Sequence, residues 1–340
     1  MLRILHDTKY DFIKYWKTAV FGTIAFIALG LVLLGVHAAR HNGQALNKSV
    51  EFTGGTSVQL KFAQNAPADV VRSAVDQAGF PGSEVTSFGD ASTYLVKAPP
   101  KEGDAAAQDA AAVGQRIAQV LNQRQPNNPV RVDKSESVGP RVGAELQTKA
   151  ITAILISFIV TLIYLAIRFE WRFGVAAVIA TAHDILTTLA FLAMMRLEVS
   201  LTVIAALLTV VGYSLNDTII IFDRVRENLK KQRRESLYDV MNRSINETLP
   251  RSILTHATTL AATLALLFFA GEVIRPFSWI MAFGIFTGTF SSIYVASALL
   301  LWIERKWPRK EDTKGTARAM AEERKRDRTG TGSGSAMAGR

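Results

Sequence analysis

The chain has 340 residues, of which 49% are hydrophobic and 20% are charged, and its mean hydropathy is +0.18. It contains no cysteine, which excludes disulfide bonds and metal sites built on thiolates. The formal net charge is +10, which would suit a nucleic-acid-binding protein, but the distribution of this charge along the chain favours another explanation.

Apolar residues cluster in six stretches, each close to the roughly 20 residues that a helix needs to cross a bilayer. We therefore predict a polytopic α-helical membrane protein with six transmembrane helices. The first stretch follows a basic segment, 1–17, and is longer than the apolar core of a typical signal peptide, so we interpret it as an uncleaved anchor. The predicted spans are 18–39, 150–167, 173–195, 201–222, 252–270 and 277–303.

The segment 40–149, between the first two spans, is long enough for one small domain. Alternating and helical patterns follow one another there in the order β-α-β-β-α-β, which is typical of a small ferredoxin-like α+β fold. The predicted strands are 56–62, 84–88, 93–97 and 129–137, and the predicted helices are 68–79 and 105–123.

The Lys and Arg residues are unevenly distributed between the segments that alternate across the membrane. Four precede the first span, two lie in the turn at 168–172, seven lie in 223–250 and eleven lie in 304–340. By contrast, 40–149 carries twelve basic and eleven acidic residues. The positive-inside rule therefore predicts cytoplasmic termini, a basic cytoplasmic loop at 223–250 and an extracytoplasmic 40–149 domain. We interpret this basic excess as a topology signal, and the same residues are suited to contact anionic lipid headgroups. We therefore predict no nucleic-acid partner.

The last segment, 304–340, is rich in Lys, Arg and Glu and ends in small and polar residues. It has too little apolar content to fold on its own, so we predict a basic, disordered cytoplasmic tail.

The fourth predicted span contains an aspartate, Asp217. A charged residue at membrane depth costs roughly 2.5–3.5 kcal/mol on insertion scales, and such residues usually face the protein interior and serve function. At about 100° per residue, neighbouring polar side chains share its side of the helix and should face other helices. These neighbours are Tyr213, Ser214, Asn216 and Thr218.

Arg251 opens the fifth span and enters the membrane from the same side as Asp217, which lies about 9 Å from its helix end at 1.5 Å per residue. The guanidinium is therefore within reach of the carboxylate, and Thr255 follows one turn later. This arrangement predicts an ion-coupling site at which Asp217 gains and loses a proton on opposite sides of the membrane. A structural alternative stays open, in which Arg251 extends to the headgroups and Asp217 caps a neighbouring helix.

The third span carries a second polar pair, His183 and Asp184, near the middle of the membrane. This pair either contributes to ion movement or locks the third span to its neighbours. Two intramembrane aspartates are also found in intramembrane aspartyl proteases, but the flanking residues here differ, and the estimated depths of Asp184 and Asp217 differ by roughly 7 Å. We therefore predict a transport subunit and no enzyme, cofactor or metal site.

Six short motifs, taken in order along the chain, resemble the SecF family. The resemblance covers residues from about 10 to 305. The motifs are Phe52-Thr53-Gly54-Gly55-Thr56 after the first span, His183-Asp184 in the third, 212–217 (GYSLND) in the fourth, 223–228 (DRVREN) just after it, and 242–246 (NRSIN) and 248–251 (TLPR) before the fifth.

The resemblance implies a subunit of SecDF, an accessory complex of the SecYEG translocon within the RND superfamily. That superfamily has twelve spans in two related halves, so the six spans here would form one half of the bundle and SecD the other. The implied function is to use the proton or sodium motive force to promote late, ATP-independent stages of protein export across the cell inner membrane. The implied partners are SecD, SecYEG, YajC, YidC, the unfolded exported polypeptide and the lipid membrane.

The resemblance also implies that Asp217 and Arg251 occupy proton-pathway positions, and that the glycines of the first motif form a junction at which φ is positive. Two residues depart from the family pattern. Glu51 stands where the family usually has Asp, and Pro250 precedes Arg251 where a small or polar residue is usual. Two other functions share part of this pattern: a passive translocon scaffold, and an RND-type small-molecule exporter.

Overall fold

The computed structural model describes residues 8–40, 43–100, 109–231, 235–271 and 273–307. Within these residues, six helices are long and apolar enough to cross a membrane, as predicted. In chain order the helices are α1 (Trp16–Arg40), α2 (Val50–Thr53), α3 (Ala68–Gln77), α4 (Ala110–Arg124), α5 (Pro140–Arg168), α6 (Trp171–Met195), α7 (Leu201–Lys231), α8 (Leu237–Phe269), α9 (Arg275–Ser291) and α10 (Ser297–Lys306). The strands are β1 (Gly55–Phe62), β2 (Glu84–Phe88), β3 (Asp90–Ala98) and β4 (Val130–Val138).

The segment between α1 and α5 folds as the predicted ferredoxin-like domain. Its sheet is antiparallel throughout and has the strand order β2-β3-β1-β4. Side chains alternate along β1, so that Val58, Leu60 and Phe62 are buried against α3 and α4. Asp109 caps α4 by accepting a hydrogen bond from the Ala111 amide. Residues 105–108 of the predicted helix 105–123 lie outside the described residues.

A glycine pair connects this domain to the membrane part of the chain. After α2, Gly54 has a φ of 72° and Gly55 a φ of 109°, values that side chains rarely allow. A Cβ atom on Gly54 would lie 2.8 Å from Cα of Pro140, the first residue of α5. The chain therefore enters β1 and leaves β4 at one tightly packed point.

The predicted cytoplasmic loop 223–250 is helical over most of its length. α7 continues beyond the apolar stretch to Lys231, α8 begins at Leu237, and Pro250 lies inside α8. Polar contacts stabilise these extensions: Arg224 lies 2.5 Å from Glu247 and 2.6 Å from Glu227. The apolar pattern predicts where each helix leaves the bilayer. Pairing between charged side chains stabilises α7 and α8 beyond that point.

The predicted tail 304–340 begins with helix instead of disordered chain. α10 continues to Lys306, and Glu304 is buried and lies 3.8 Å from Arg172 of α6. Residues 308–340 lie outside the described residues. A π-helical turn, Ser292–Ala296, joins α9 to α10, so the two form one span.

α7 and α9 approach each other closely in the membrane part of the chain. A Cβ atom on Gly288 would lie 2.9 Å from Cβ of Ser214, and one on Gly284 would overlap Val210. Small residues at this spacing let two helix backbones approach closely within a bilayer. This contact sets the rotation of α7 and hence the direction in which its polar residues point.

Candidate functional site

Asp217 lies between α7 and α8 and is only 3% exposed. Its Oδ1 accepts a hydrogen bond of 2.5 Å from the hydroxyl of Ser252, which is also buried. Its Oδ2 is buried and has no hydrogen-bond partner among the residues that the structure describes. Oδ1 of Asp217 is therefore hydrogen-bonded, whereas Oδ2 has no hydrogen-bond partner among these residues and can bind a proton.

His256 follows Ser252 by one turn on α8 and completes this side of the site. Its ring packs edge-on against Tyr213, with ring centroids 5.2 Å apart, and it interacts electrostatically with Asp217. The Tyr213 hydroxyl lies 3.1 Å from both Thr259 Oγ1 and the carbonyl oxygen of Thr255, and it can donate its one hydrogen to either. His256 Nδ1 is buried and, within the described part of the chain, unpaired. We name Tyr213, Asp217, Ser252 and His256 the α7–α8 site.

Ser252 and His256 were not among the predicted site residues. The available signal was their spacing of four residues in the fifth span, which places them on one face of a helix. The predicted residue Thr255 contributes only its carbonyl oxygen, because its hydroxyl bonds back to the carbonyl of Arg251.

Arg251 does not contact Asp217 in this chain. It is exposed, and the two residues form no ion pair within the part of the chain that the structure describes. Consecutive residues of a helix point about 100° apart, so the rotation that directs Ser252 at Asp217 turns Arg251 away. The hydroxyl of Ser252 thus lies beside Asp217, where the guanidinium of Arg251 was predicted. A role for Arg251 stays a prediction.

Asp184 forms a separate polar centre that joins three helices. It is 1% exposed on α6, and its Oδ2 accepts a short hydrogen bond from Ser214 of α7 and one of 2.7 Å from Ser291 of α9. Its Oδ1 lies 3.0 Å from Nδ1 of His183. Nε2 of His183 is buried with no partner among the described residues. Asp184 therefore joins α6 to α7 and α9, and the role of the His183–Asp184 pair, as a lock or in ion movement, stays a prediction.

The predicted polar stripe around Asp217 is divided among three surroundings. Ser214 bonds to Asp184 of α6 and packs against Gly288 of α9, and Thr218 lies 2.8 Å from the hydroxyl of Ser292 in the π-helical turn. Tyr213 and Asp217 face α8, whereas Asn216 is exposed. The division follows from the helical repeat, because positions within one turn of Asp217 span most of the helix circumference.

The junction motif Phe52–Thr56 lies far from these centres, at the base of the external domain. Phe52 is buried in an apolar cluster with Val199 and Val203, and Thr56 begins the pairing of β1 with β3. Among the described residues, no group of three or more His, Asp or Glu side chains could hold a metal ion.

Comparisons with known proteins identify the family. The model of the protein export membrane protein SecD/SecF, C-terminal, matches residues 117–306, and the SecD/SecF GG motif matches residues 43–66, which include the junction motif. Protein translocase subunit SecF of Gemmatimonas aurantiaca is 56% identical over 325 residues, covering 94% of both chains. The SecF subunit of Escherichia coli O157:H7 is 38% identical and covers 87% of this chain and 88% of its own.

The chain belongs to the SecF family. The crystal structure of SecDF from Thermus thermophilus, described as a translocon-associated membrane protein, superposes with a TM-score of 0.75 at 36% identity. The match covers 90% of this chain and 40% of that chain. This SecF-family chain is accordingly a multi-pass membrane protein and a SecDF-type protein translocase subunit, which is a transport component. Its membership in this family supports a partnership with SecD.

Proposed function

We propose that this chain couples the proton or sodium motive force to late, ATP-independent stages of protein export, with Asp217 as the ion-coupling carboxylate. The observation that carries the proposal is the open Oδ2 of Asp217, which is buried at the α7–α8 interface. Leaving a buried polar atom unpaired costs about 1–3 kcal/mol, and few such atoms occur in native proteins. A proton or cation that binds and leaves at this oxygen accounts for its retention.

The available driving force is large enough for such a cycle. One charge that crosses the membrane gains about 2.3 kcal/mol per 100 mV of potential, and each pH unit adds about 1.4 kcal/mol per proton. In the coupling cycle, Asp217 is exposed alternately to the two sides of the membrane and the external domain moves with it. The role of Arg251 in this cycle is to bias when Asp217 takes up and releases the ion.

The exposed side of α7 supports SecD as the partner that completes the site. Its exposed residues recur at alternating spacings of three and four, which is the seam of two helices packed along their length. Beyond Leu201, the first residue of the helix, the exposed residues of its apolar stretch are small or polar, unlike the large apolar side chains that α5 exposes, such as Ile151, Leu155 and Ile159. The seam residues are Thr202, Ala205, Thr209, Gly212 and Asn216.

The proposed setting is the cell inner membrane, with both termini in the cytoplasm and the 40–149 domain outside it. The charge asymmetry of the sequence supports this orientation. SecYEG, YajC, YidC and the unfolded exported polypeptide are the further proposed partners, on the strength of family resemblance.

The test is Asp217→Asn in the assembled complex with SecD, reconstituted into vesicles that also contain the translocon. Asparagine is nearly isosteric and uncharged, so we expect normal complex abundance, normal ATP-driven translocation and loss of the stimulation by an imposed proton or sodium gradient. Asn216→Asp, which moves the carboxylate to the exposed seam position, should not restore the stimulation in the Asp217→Asn background. A gradient stimulation that survives Asp217→Asn would leave the chain a passive scaffold.

A further inference from the structure

Two backbone hydrogen bonds, which together make one parallel β-bridge, attach the loop between α6 and α7 to the segment that leads into the external domain. Lys48 and Val199 form a parallel β-bridge. The Ser49 amide donates to the Val199 carbonyl at 2.9 Å, and the Val199 amide donates to the Asn47 carbonyl at 2.7 Å. The loop that leads into α7 is thus tied by backbone hydrogen bonds to the segment that leads into the external domain.

Glu51 adds a direct bond to α7 itself. Its Oε2 accepts a hydrogen bond of 2.7 Å from the amide of Leu201, the first residue of α7, and one of 3.3 Å from the Ser49 hydroxyl. The first amides of a helix have no partner within the helix, and a carboxylate there is favoured by the helix dipole. Asp217 lies on the same helix, about 24 Å further along at 1.5 Å per residue.

On its other side, Glu51 is joined to the external domain through the chain itself. It belongs to the one-turn helix α2, whose residue Phe52 is buried against Val199 and Val203 at the start of α7. α2 leads through Gly54 directly into β1, and a Cβ atom on Gly143 of α5 would lie 2.9 Å from the Gly54 amide nitrogen. α2 is therefore packed tightly against α5 and is followed by β1 after the single residue Gly54.

Lys97 of β3 forms a second tie between the sheet and the same loop. Its side chain is 10% exposed, and its Nζ lies 3.0 Å from Glu198 and 3.2 Å from the side-chain oxygen of Asn47. Lys97 pairs with Ser57 of β1, so both ties end on adjacent central strands of the sheet. We name Asn47, Glu51, Lys97 and Glu198 the base joint.

We propose that Glu51 is a positioning residue that transmits displacement of α7 to the external domain, an assignment that rests on the proposed function of Asp217. The base joint contacts the first residue of α7, the helix that carries the ion-coupling carboxylate Asp217. The base joint is also connected to the sheet of the external domain. An axial shift or rotation of α7 on ion binding is therefore passed to β1 and β3. Glu51 touches no ion and acts only through the Leu201 amide.

The test measures movement directly in the full-length chain assembled with SecD in liposomes. Spin labels are placed on Gln77→Cys, on the exposed side of α3, and on Trp302→Cys, exposed on α10, in this otherwise cysteine-free chain, so that the distance reports movement of the external domain relative to a helix other than α7. We expect a change in the distance between the labels when a gradient is imposed, and a change of less than half that size in Glu51→Gln. Glu51→Asp retains an anionic acceptor and should keep most of the change. Glu136→Gln, which removes an exposed ion pair with Lys134 in the same domain, should keep all of it.

A disulfide that forms only under oxidising conditions distinguishes a loss of transmission in Glu51→Gln from a loss of folding. Lys48→Cys with Val199→Cys places two cysteines at bridged positions, where a disulfide can form. In the Glu51→Gln background, we expect the oxidised form to recover gradient-stimulated export and the reduced form to lose it. Equal export in the two forms would overturn the assignment.

Two further outcomes separate this assignment from the proposed function. A full distance change in Glu51→Gln, combined with its loss in Asp217→Asn, would overturn the role of Glu51 and leave ion coupling at Asp217 intact. Gradient-stimulated export that survives Asp217→Asn would overturn both.

Discussion

The hydroxyl of Ser252 lies 2.5 Å from Oδ1 of Asp217 and joins α8 to α7 within the membrane part of the chain. The bond holds the carboxylate at the helix interface while its other oxygen remains open. Ser252 thereby determines which oxygen of Asp217 is available and in which direction it points.

Ser252→Ala should impair coupling more than assembly. Removing a hydrogen bond to a charged group costs about 1.5–3 kcal/mol, so we expect a modest loss of thermal stability. We expect gradient-stimulated export to fall several-fold, because the carboxylate is no longer held in position. Thr258→Ala is the matched control, since this hydroxyl is exposed on the same helix and bonds to the Leu254 carbonyl. Equal export by the two variants would contradict a positioning role for Ser252.

Arg251→Met tests whether the exposed guanidinium takes part in coupling. Methionine keeps an unbranched apolar stem and removes the charge, so complex abundance should be unchanged. We expect gradient stimulation to be lost, because the coupling cycle brings Arg251 to Asp217 in a state, or with a SecD surface, that the isolated chain does not contain. Lys231→Met, at the exposed C-terminal end of α7, serves as the charge-matched control. If Arg251→Met behaves like this control, the guanidinium only extends to the headgroups.

Asp184 should act as a structural lock between helices. Asp184→Ala leaves the hydroxyl of Ser214 without its acceptor, at about 1–3 kcal/mol, so the melting temperature of the complex should fall. The Ser291 hydroxyl also loses Asp184 but keeps the Gly288 carbonyl, 3.1 Å away, as an acceptor. Asp184→Asn can still accept both hydroxyls and donate to His183, so we expect near-normal stability and gradient-stimulated export. Loss of the stimulation in a stable Asp184→Asn complex would instead assign ion movement to this residue.

Single-cysteine labelling tests the orientation in the membrane. The chain has no native cysteine, so a cysteine at position 100, in the external domain, reports on one side only. We expect an impermeant thiol reagent to label it from outside the cytoplasm, and to label Lys230→Cys only after the cytoplasmic side is opened. The reverse pattern would overturn the proposed topology and with it the direction of coupling.

The six spans and the ferredoxin-like order of the external domain could be predicted from the sequence because both depend on local patterns. A stretch of apolar residues long enough to cross the bilayer identifies a span without reference to its neighbours. Alternation along Thr56–Phe62 likewise identifies a strand that is buried on one face. Predicted ends were less accurate where polar contacts extend a helix, as the pairing of Arg224 with Glu247 does for α7.

The position of Asp217 in a membrane helix was determined by the sequence, but its partner was decided only by the tertiary structure. Each residue of a helix points about 100° from the last, so a small rotation of α8 exchanges Arg251 for Ser252 as the neighbour of the carboxylate. The rotation of α7 is set by the close approach of Gly288 to Ser214, a contact between residues far apart in the chain. Spacing within one helix predicts which side chains share a face, and only packing between helices decides what that face meets.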